Sequence, residues 1–299
     1  MLWIFLSILA HFLWAWVNIG DKYIVGHRIK NPYVYLSWMT MAGIMAVVLI
    51  PFIDFYVPPF KILFGLIGAG CLYFFGGLPY IKAMQMEEPT RINVWWNLIP
   101  VFSLLIGWTF LNESFTIGQI IAFVFLLSGA IIASIHSRGK SFVFSRAIWY
   151  MAVSSLAFAA YGVLFHYLMK YISFEIAFVW VHLVMFVCAA SLLLSKNFRR
   201  DFVVEFKQGN RNLAGLVIGV SLIDRLGIFF NQWALVLGSA ALVYALEGFQ
   251  VIFVFIIATL MSIFLPHIVK EKLDKRNMLL KLLALTIMII GILILAWRG

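Results

Sequence analysis

Charged side chains are scarce. Asp, Glu, Lys and Arg make up 11% of 299 residues, whereas 64% are hydrophobic. That balance excludes an ordinary water-soluble domain, in which about a quarter of residues are charged. Only two cysteines occur, Cys71 and Cys188, both inside apolar stretches, so neither a disulfide framework nor a metal cluster is indicated. There is no Walker motif, no carboxylate pair and no His cluster at ligand spacing. An ATP-driven pump and a membrane enzyme are therefore disfavoured, and no cofactor or metal is expected. Long linkers and low-complexity tails are lacking too. The apolar runs are continuous rather than alternating, which excludes a transmembrane β-barrel.

What the chain does have is long apolar stretches. A bilayer core about 30 Å thick takes roughly 20 apolar residues per helix. Ten stretches qualify: 2–22, 33–53, 61–82, 90–111, 116–136, 147–169, 174–195, 212–235, 239–264 and 278–297. The first is not expected to be a cleavable signal, because it lacks a basic leader and carries His11, Trp14, Trp16 and Asn18. The expected fold is an all-α integral membrane protein of ten transmembrane helices.

The net charge of +10 is unevenly placed. Most Lys and Arg lie in or beside alternate connections: Lys22, Arg28 and Lys30; Lys82 and Arg91; Arg138, Lys140 and Arg146; Lys196, Arg199, Arg200, Lys207 and Arg211; Lys270, Lys272, Lys275, Arg276 and Lys281. The other side keeps Lys61, Lys170 and Arg298. Under the positive-inside rule the basic loops are cytoplasmic and both termini lie outside. Such a pattern reads as orientation and attraction to anionic lipid headgroups, not as nucleic-acid binding.

An internal repeat organises the chain. Ala83–Ser134 reads as a polar turn, an apolar helix containing polar residues, a tight hairpin at 111–116 and a second apolar helix with Gly129 near its end. Ala234–Ser262 aligns with Ala83–Leu111 at an offset of 151. After an insertion of 11 residues, Leu280–Ala296 aligns with Gly118–Ser134 and sets Gly291 on Gly129. Each half then has five helices, an odd number, so the second copy enters the membrane upside down. The repeats are expected at 1–138 and 139–299, joined by the basic loop at 136–146. The hairpin at Asn112–Ile117 falls outside and its counterpart at Pro266–Arg276 in the cytoplasm. The triplet Asn112-Glu113-Ser114 matches a glycosylation signal, but a hairpin this close to lipid makes it meaningless.

The pattern Ala83…Pro100-Val101…Leu111-Asn112-Glu113…Gly118…Gly129, with the first-span run Trp14–Tyr23 and the sixth-span run Ala157–Gly162, resembles the EamA-like branch of the drug/metabolite transporter superfamily over almost the whole length. The resemblance implies a ten-helix carrier, often an exporter of amino acids or related metabolites, with a central cavity formed mainly by spans 1, 3, 4, 6, 8 and 9. The second copy has Val251 where the first has Pro100, so a helix break is expected in one half only.

Polar residues inside spans are costly and face a cavity or a neighbouring helix. Span 4 sets Asn93, Trp96, Asn97 and Pro100 on one stripe at i, i+3, i+4 and i+7. The repeat maps them onto Tyr244, Glu247, Gly248 and Val251 of span 9, so the two stripes should face each other across the centre. Pro100 frees a carbonyl near Trp96 and serves as a hinge. Span 1 shows His11, Ala15, Asn18 and Lys22 in register, with Trp14 beside them; Lys22 is expected to snorkel to the surface. Span 8 carries Asp224 and Arg225 near mid-depth, where Arg225 can pair with Glu247 on the next helix. Asp224, otherwise unbalanced, could pair with Lys22 or Lys82. In span 6, Tyr161 takes the place of Trp14; Ser154, Ser155 and His166 read as packing polarity, as does His182 in span 7. Asn231 and Gln232, with Tyr80 as the counterpart of Asn231, form a gate or cap one end of span 8.

The solute-binding candidates are therefore His11, Trp14, Asn18, Asn93, Trp96, Asn97, Tyr161, Arg225, Tyr244 and Glu247. Glu247, Asp224 and His11 are the proton-coupling candidates. Aromatic faces with opposite charges suit a zwitterion or an amine. The expected function is secondary transport of a small polar, amino-acid-like, zwitterionic or amine metabolite, as an exporter by alternating access with proton coupling. A lipid or lipid-linked-sugar flippase is the alternative on the same scaffold. Membrane lipids are the other partners expected. The chain should sit as a monomer or homodimer in a bacterial or archaeal inner membrane.

Overall fold

The computed structural model describes residues 2–111, 116–138, 141–209, 211–237, 243 and 246–298. The regular secondary structure of the described residues is helical apart from one short hairpin. In lipid a backbone must bond to itself, and continuous apolar runs do so as helices. In chain order these are α1 (Leu2–His27), α2 (Pro32–Met41), α3 (Phe60–Met86), α4 (Pro89–Trp96), α5 (Leu98–Leu111), α6 (Ile117–Ala133), α7 (Ala147–Leu168), α8 (Phe174–Ser191), α9 (Lys196–Gln208), α10 (Arg211–Leu237), α11 (Glu247–Phe264) and α12 (Lys275–Arg298). Nine helical stretches among the described residues are long and apolar enough to cross a membrane; α6, with 17 residues, is a shorter apolar helix. The protein is thus an integral, multi-pass membrane protein.

Local chemistry sets several boundaries. Asn31 caps α2 by accepting from the Tyr33 amide at 3.1 Å, with Pro32 in the first position. Thr116 and Gln119 form a capping box at the start of α6. The expected hairpin lies largely at 112–115, outside the described residues.

Two expectations are corrected, at the second stretch and at the joining loop. The second stretch is not one α-helix: α2 passes into a 3-10 helix at Ala42–Phe52, which contains Pro51. The break expected in the fourth falls at Asn97, one turn before Pro100, whose missing amide and ring forbid a regular turn. α11 begins at Glu247, the counterpart of Trp96, with Leu246 as its N-cap; of residues 238–245 only Val243 is described. Finally, the joining loop holds a two-stranded antiparallel hairpin, β1 (Ile135–Arg138) and β2 (Ser141–Phe144).

Helix α9 was not foreseen. Its Phe202 and Phe206 meet Trp38 edge-on, and Glu205 accepts from the backbone amides of Lys30 and Asn31 at 2.9 and 3.3 Å. Asp201 accepts from the Asn31 amide group at 3.0 Å, so α9 clamps the α1–α2 turn. Lys196, Arg199, Arg200 and Lys207 make it a basic interfacial helix.

The packing is paired. α1 lies against α10 and α11, while α7 lies against α3 and α5; α6 packs on α12 and α2 on α8. Gly129 and Gly291 bring α6 and α12 together. A β-carbon on Gly129 would sit 2.2 Å from Met288 Cγ, and one on Gly291 would sit 3.0 Å from Phe125 Cβ. The outer perimeter carries bare apolar side chains such as Phe52, Phe60, Trp149 and Phe264, as a lipid-facing surface requires.

Candidate functional site

Where α3, α4, α6, α11 and α12 meet at the basic end, charges are sealed inside protein. Lys281, 2% exposed, lies 2.7 Å from Glu88 and in contact with Glu271. Thr90 donates to Glu271 through its amide (3.0 Å) and its hydroxyl (2.7 Å), and the Lys272 amide donates to Glu88 at 3.1 Å. Arg91 donates to the carbonyls of Ala133 and Ile135 at 2.5 and 2.7 Å and to Asn277 at 3.2 Å. Lys22 does not snorkel; its ammonium donates to the last carbonyls of α3, Met84 (2.9 Å) and Glu87 (2.7 Å). The sequence reading took these cations for loop charges. Instead they close one end of the bundle.

Beyond that seal lies a cavity of about 150 Å³, room for on the order of ten waters. Its walls come from α1, α2, α3, α4, α5, α7, α10 and α11. Of the expected residues, His11, Trp14, Asn18, Trp96, Tyr161, Arg225 and Glu247 line it, with Asp224, Asn231 and Gln232. Asn93 is fully buried behind the wall. Asn97 is buried too and turned away, its amide donating to the carbonyls of Asn93 and Val94 at 3.4 and 3.2 Å. The break that Asn97 caps rotates it out of the stripe shared with Trp96. Gly248 faces Ile292, not Asn97. Tyr244 lies outside the described residues.

The expected Arg225–Glu247 pair is not formed. Arg225 bonds its neighbour Asp224 at 2.5 Å, and Asp224 also accepts from the Trp14 indole at 3.1 Å. Gly227 makes this possible, since a β-carbon there would lie 2.7 Å from that indole nitrogen. Neither Lys22 nor Lys82 pairs with Asp224; Lys82 donates to Gln85 at 3.1 Å. Oε2 of Glu247 is buried with no hydrogen-bond partner among the described residues. Pro100 does not line the cavity; the residue at the break is Asn97.

One hydrogen-bonded chain crosses the centre. His11 Nδ1 meets Gln250 Oε1 at 3.0 Å, Gln250 donates to Asn93 at 2.9 Å, and Asn93 donates to Asn18 at 3.1 Å. Tyr80 reaches Asn18 Oδ1 at 3.1 Å and Asp21 Oδ2 at 2.6 Å, and Tyr35 donates to Asp21 Oδ1 at 2.6 Å. Gln232 bonds the Tyr161 hydroxyl, and Ser154 donates to the Gly76 carbonyl at 2.7 Å. His182 is buried, its Nδ1 on the Phe178 carbonyl at 2.8 Å, close to Arg225 through Gly43.

Asp21, Gln250 and the lining role of Tyr80 were missed. Their signal was present: Trp14, Asn18 and Asp21 recur at helical spacing, and Gln250 is three residues after Glu247. Among the described residues no group of three His, Cys, Asp or Glu could hold a metal ion.

Residues 1–135 match the sequence profile of the EamA-like transporter family. The first half is EamA-like. Over that stretch the chain is similar to a transporter family of the drug/metabolite transporter superfamily. A solved structure titled only "Crystal structure of protein" shares 13% identity with this chain, covers 97% of it and 94% of its own length, and has a TM-score of 0.54. At that identity the likeness is one of fold. No curated protein matches the sequence.

Proposed function

We propose that this EamA-like protein is a secondary transporter of a small amine or amino-acid-like solute, working as an exporter by alternating access between two inverted five-helix halves. Support for the inversion comes from the packing pairs: α1 on α10 and α11 repeats as α7 on α3 and α5, with α6–α12 and α2–α8 as self-related pairs. α6 serves as the tenth span and the halves divide near residue 138. The sealed charges at the basic end would then form the cytoplasmic closure, with both termini outside.

The observation that carries the solute class is the charge count of the wall. Two carboxyls, Asp224 and Glu247, face one guanidinium, Arg225, which Asp224 already holds, so Glu247 is left without a cation. An ammonium group is the partner this wall lacks, and Trp14, Trp96, Phe158 and Tyr161 offer ring faces to it. Glu247 sits in the first turn of α11, its Oε2 without a hydrogen-bond partner among the described residues. A flippase needs a free basic headgroup site; the cation in this wall is neutralised.

The test is uptake by proteoliposomes of choline, ethanolamine and L-amino acids. Wild type should carry at least one, and Glu247→Gln should abolish that flux while keeping its melting temperature. Full transport by Glu247→Gln removes Glu247 from solute binding, and transport of anions alone overturns the solute class.

A further inference from the structure

We propose that Asp21 is a proton-binding site of this protein, that Tyr80 relays its protonation to the polar chain joining the two halves, and that this proton couples transport. The coupling rests on the carrier reading above; the proton site does not.

Asp21 is 1% exposed, lines the cavity and forms no ion pair among the described residues. From α2 it meets Tyr35, and from α3 Tyr80, with Tyr73 further along the same wall. α10 presents Asp224, whose guanidinium partner Arg225 is turned to it. α4 presents Asn93, and α11 presents Gln250 and Glu247. On its own helix, Lys22 is engaged at the end of α3 and His11 is bonded to Gln250. No cation in these surroundings is free to balance a second carboxylate.

The decisive geometry is at the Tyr80 hydroxyl. It lies 2.6 Å from Asp21 Oδ2 and 3.1 Å from Asn18 Oδ1, yet it has a single proton. Both of those atoms are acceptors. The Asn18 amide is fixed, because Nδ2 donates to the Trp14 carbonyl at 2.6 Å and Oδ1 accepts from Asn93. With Asp21 ionised, Tyr80 donates to the carboxylate and turns a bare oxygen toward Asn18. With a proton on Asp21 Oδ2, the carboxyl donates to the phenol oxygen and the phenol donates to Asn18. Every contact is then satisfied. Binding one proton reverses the Asp21–Tyr80 hydrogen bond, makes a new one from Tyr80 to Asn18, and exchanges a charge-assisted bond for neutral ones. The change passes from Asn18 to Asn93 on α4, one turn before the break at Asn97, and to Gln250 in the first turn of α11.

The test uses the purified full-length protein in detergent. Infrared difference spectra between acid and alkaline buffer should show a carboxylic C=O band together with a tyrosine ring–oxygen change. Asp21→Asn offers an oxygen to Tyr35 and an amide donor to Tyr80, so it mimics the protonated acid and should fold; it should lose both signals. In a Tyr35→Phe background, which removes the other phenol bonded to Asp21, Tyr80→Phe should keep the carboxyl band and lose the tyrosine change. If Asp21→Asn fails to fold, the Tyr80→Phe spectrum decides alone, and a tyrosine change that persists there overturns the relay. A carboxyl band unaltered in Asp21→Asn overturns the proton site. In proteoliposomes, with whichever of choline, ethanolamine or the L-amino acids wild type carries, Asp21→Asn should exchange solute at equilibrium yet lose accumulation driven by a pH gradient. Loss of both overturns coupling and assigns Asp21 to solute binding. Should wild type carry none of them while the infrared signals behave as stated, the carrier reading falls and the proton site stands.

Discussion

Lys281→Met removes the cation that touches both Glu88 and Glu271 at the sealed end. Met fills much of the same volume, so the change is mainly one of charge. Glu88 keeps Arg91, but at 3.7 Å, and Glu271 keeps the two donors of Thr90. Breaking a buried pair from one side costs about 3–5 kcal/mol. The remaining donors put this case at the lower end, about 3 kcal/mol. For domains of 150–250 residues each kcal/mol moves the midpoint by about 2–4 °C, so a fall of roughly 6–12 °C is expected. Melting can be followed by tryptophan emission in detergent, with 11 indoles as reporters. Adding Glu271→Gln should recover about 2 kcal/mol, because the uncompensated carboxylate is then gone. A single variant that melts within about 1 °C of wild type, or a double variant as unstable as the two singles summed, refutes the claim that this cluster is a sealed ion network.

Other outcomes follow from the packing. Gly129→Ala would place a carbon 2.2 Å from Met288 Cγ, against an ordinary contact of about 3.5–4.0 Å. Overpacking of about 1–3 kcal/mol is offset by about 1 kcal/mol of helix propensity, so a modest destabilisation of about 1 kcal/mol is expected, relieved when Met288 is also shortened to Ala. The sulfurs of Cys71 and Cys188 lie 3.6 Å apart as free thiols. Mild oxidation of wild type should therefore consume both thiols and leave α3 and α8 linked after proteolysis between them; two thiols that remain titratable refute that contact.

How much of this was legible in sequence depends on what each signal reports. Apolar run length located most of the spans, because lipid imposes internal hydrogen bonding whatever the tertiary fold. The glycines 129 and 291 were also readable, as small residues in register between repeats. Side-chain direction was not. Asp21 and Lys22 are neighbours, and the register chosen for span 1 favoured Lys22; only the end of α3 reveals that the lysine is occupied and the aspartate faces the cavity. Asn97 kept its place on a straight helix drawn from sequence, whereas the real helix is interrupted at that residue. Arg225 chose the adjacent carboxylate over the one on the next helix, a decision of rotamer and distance that spacing does not encode. The charges of Glu88, Arg91, Glu271 and Lys281 looked like loop polarity because their partners are far apart in the chain.

Gln250 belongs to the second half, yet it is held on either side by His11 and Asn93 of the first. Under the proposed carrier reading, rocking of one half past the other must part that clasp. Inside a membrane such bonds contribute about 0.6 kcal/mol each, so opening the pair costs only about 1 kcal/mol. The ionic seal between Glu88 and Lys281 resists far more. Thermal motion alone can therefore loosen the middle of the molecule, and on the proposed carrier reading the basic end is the lock that a bound solute or proton would have to turn.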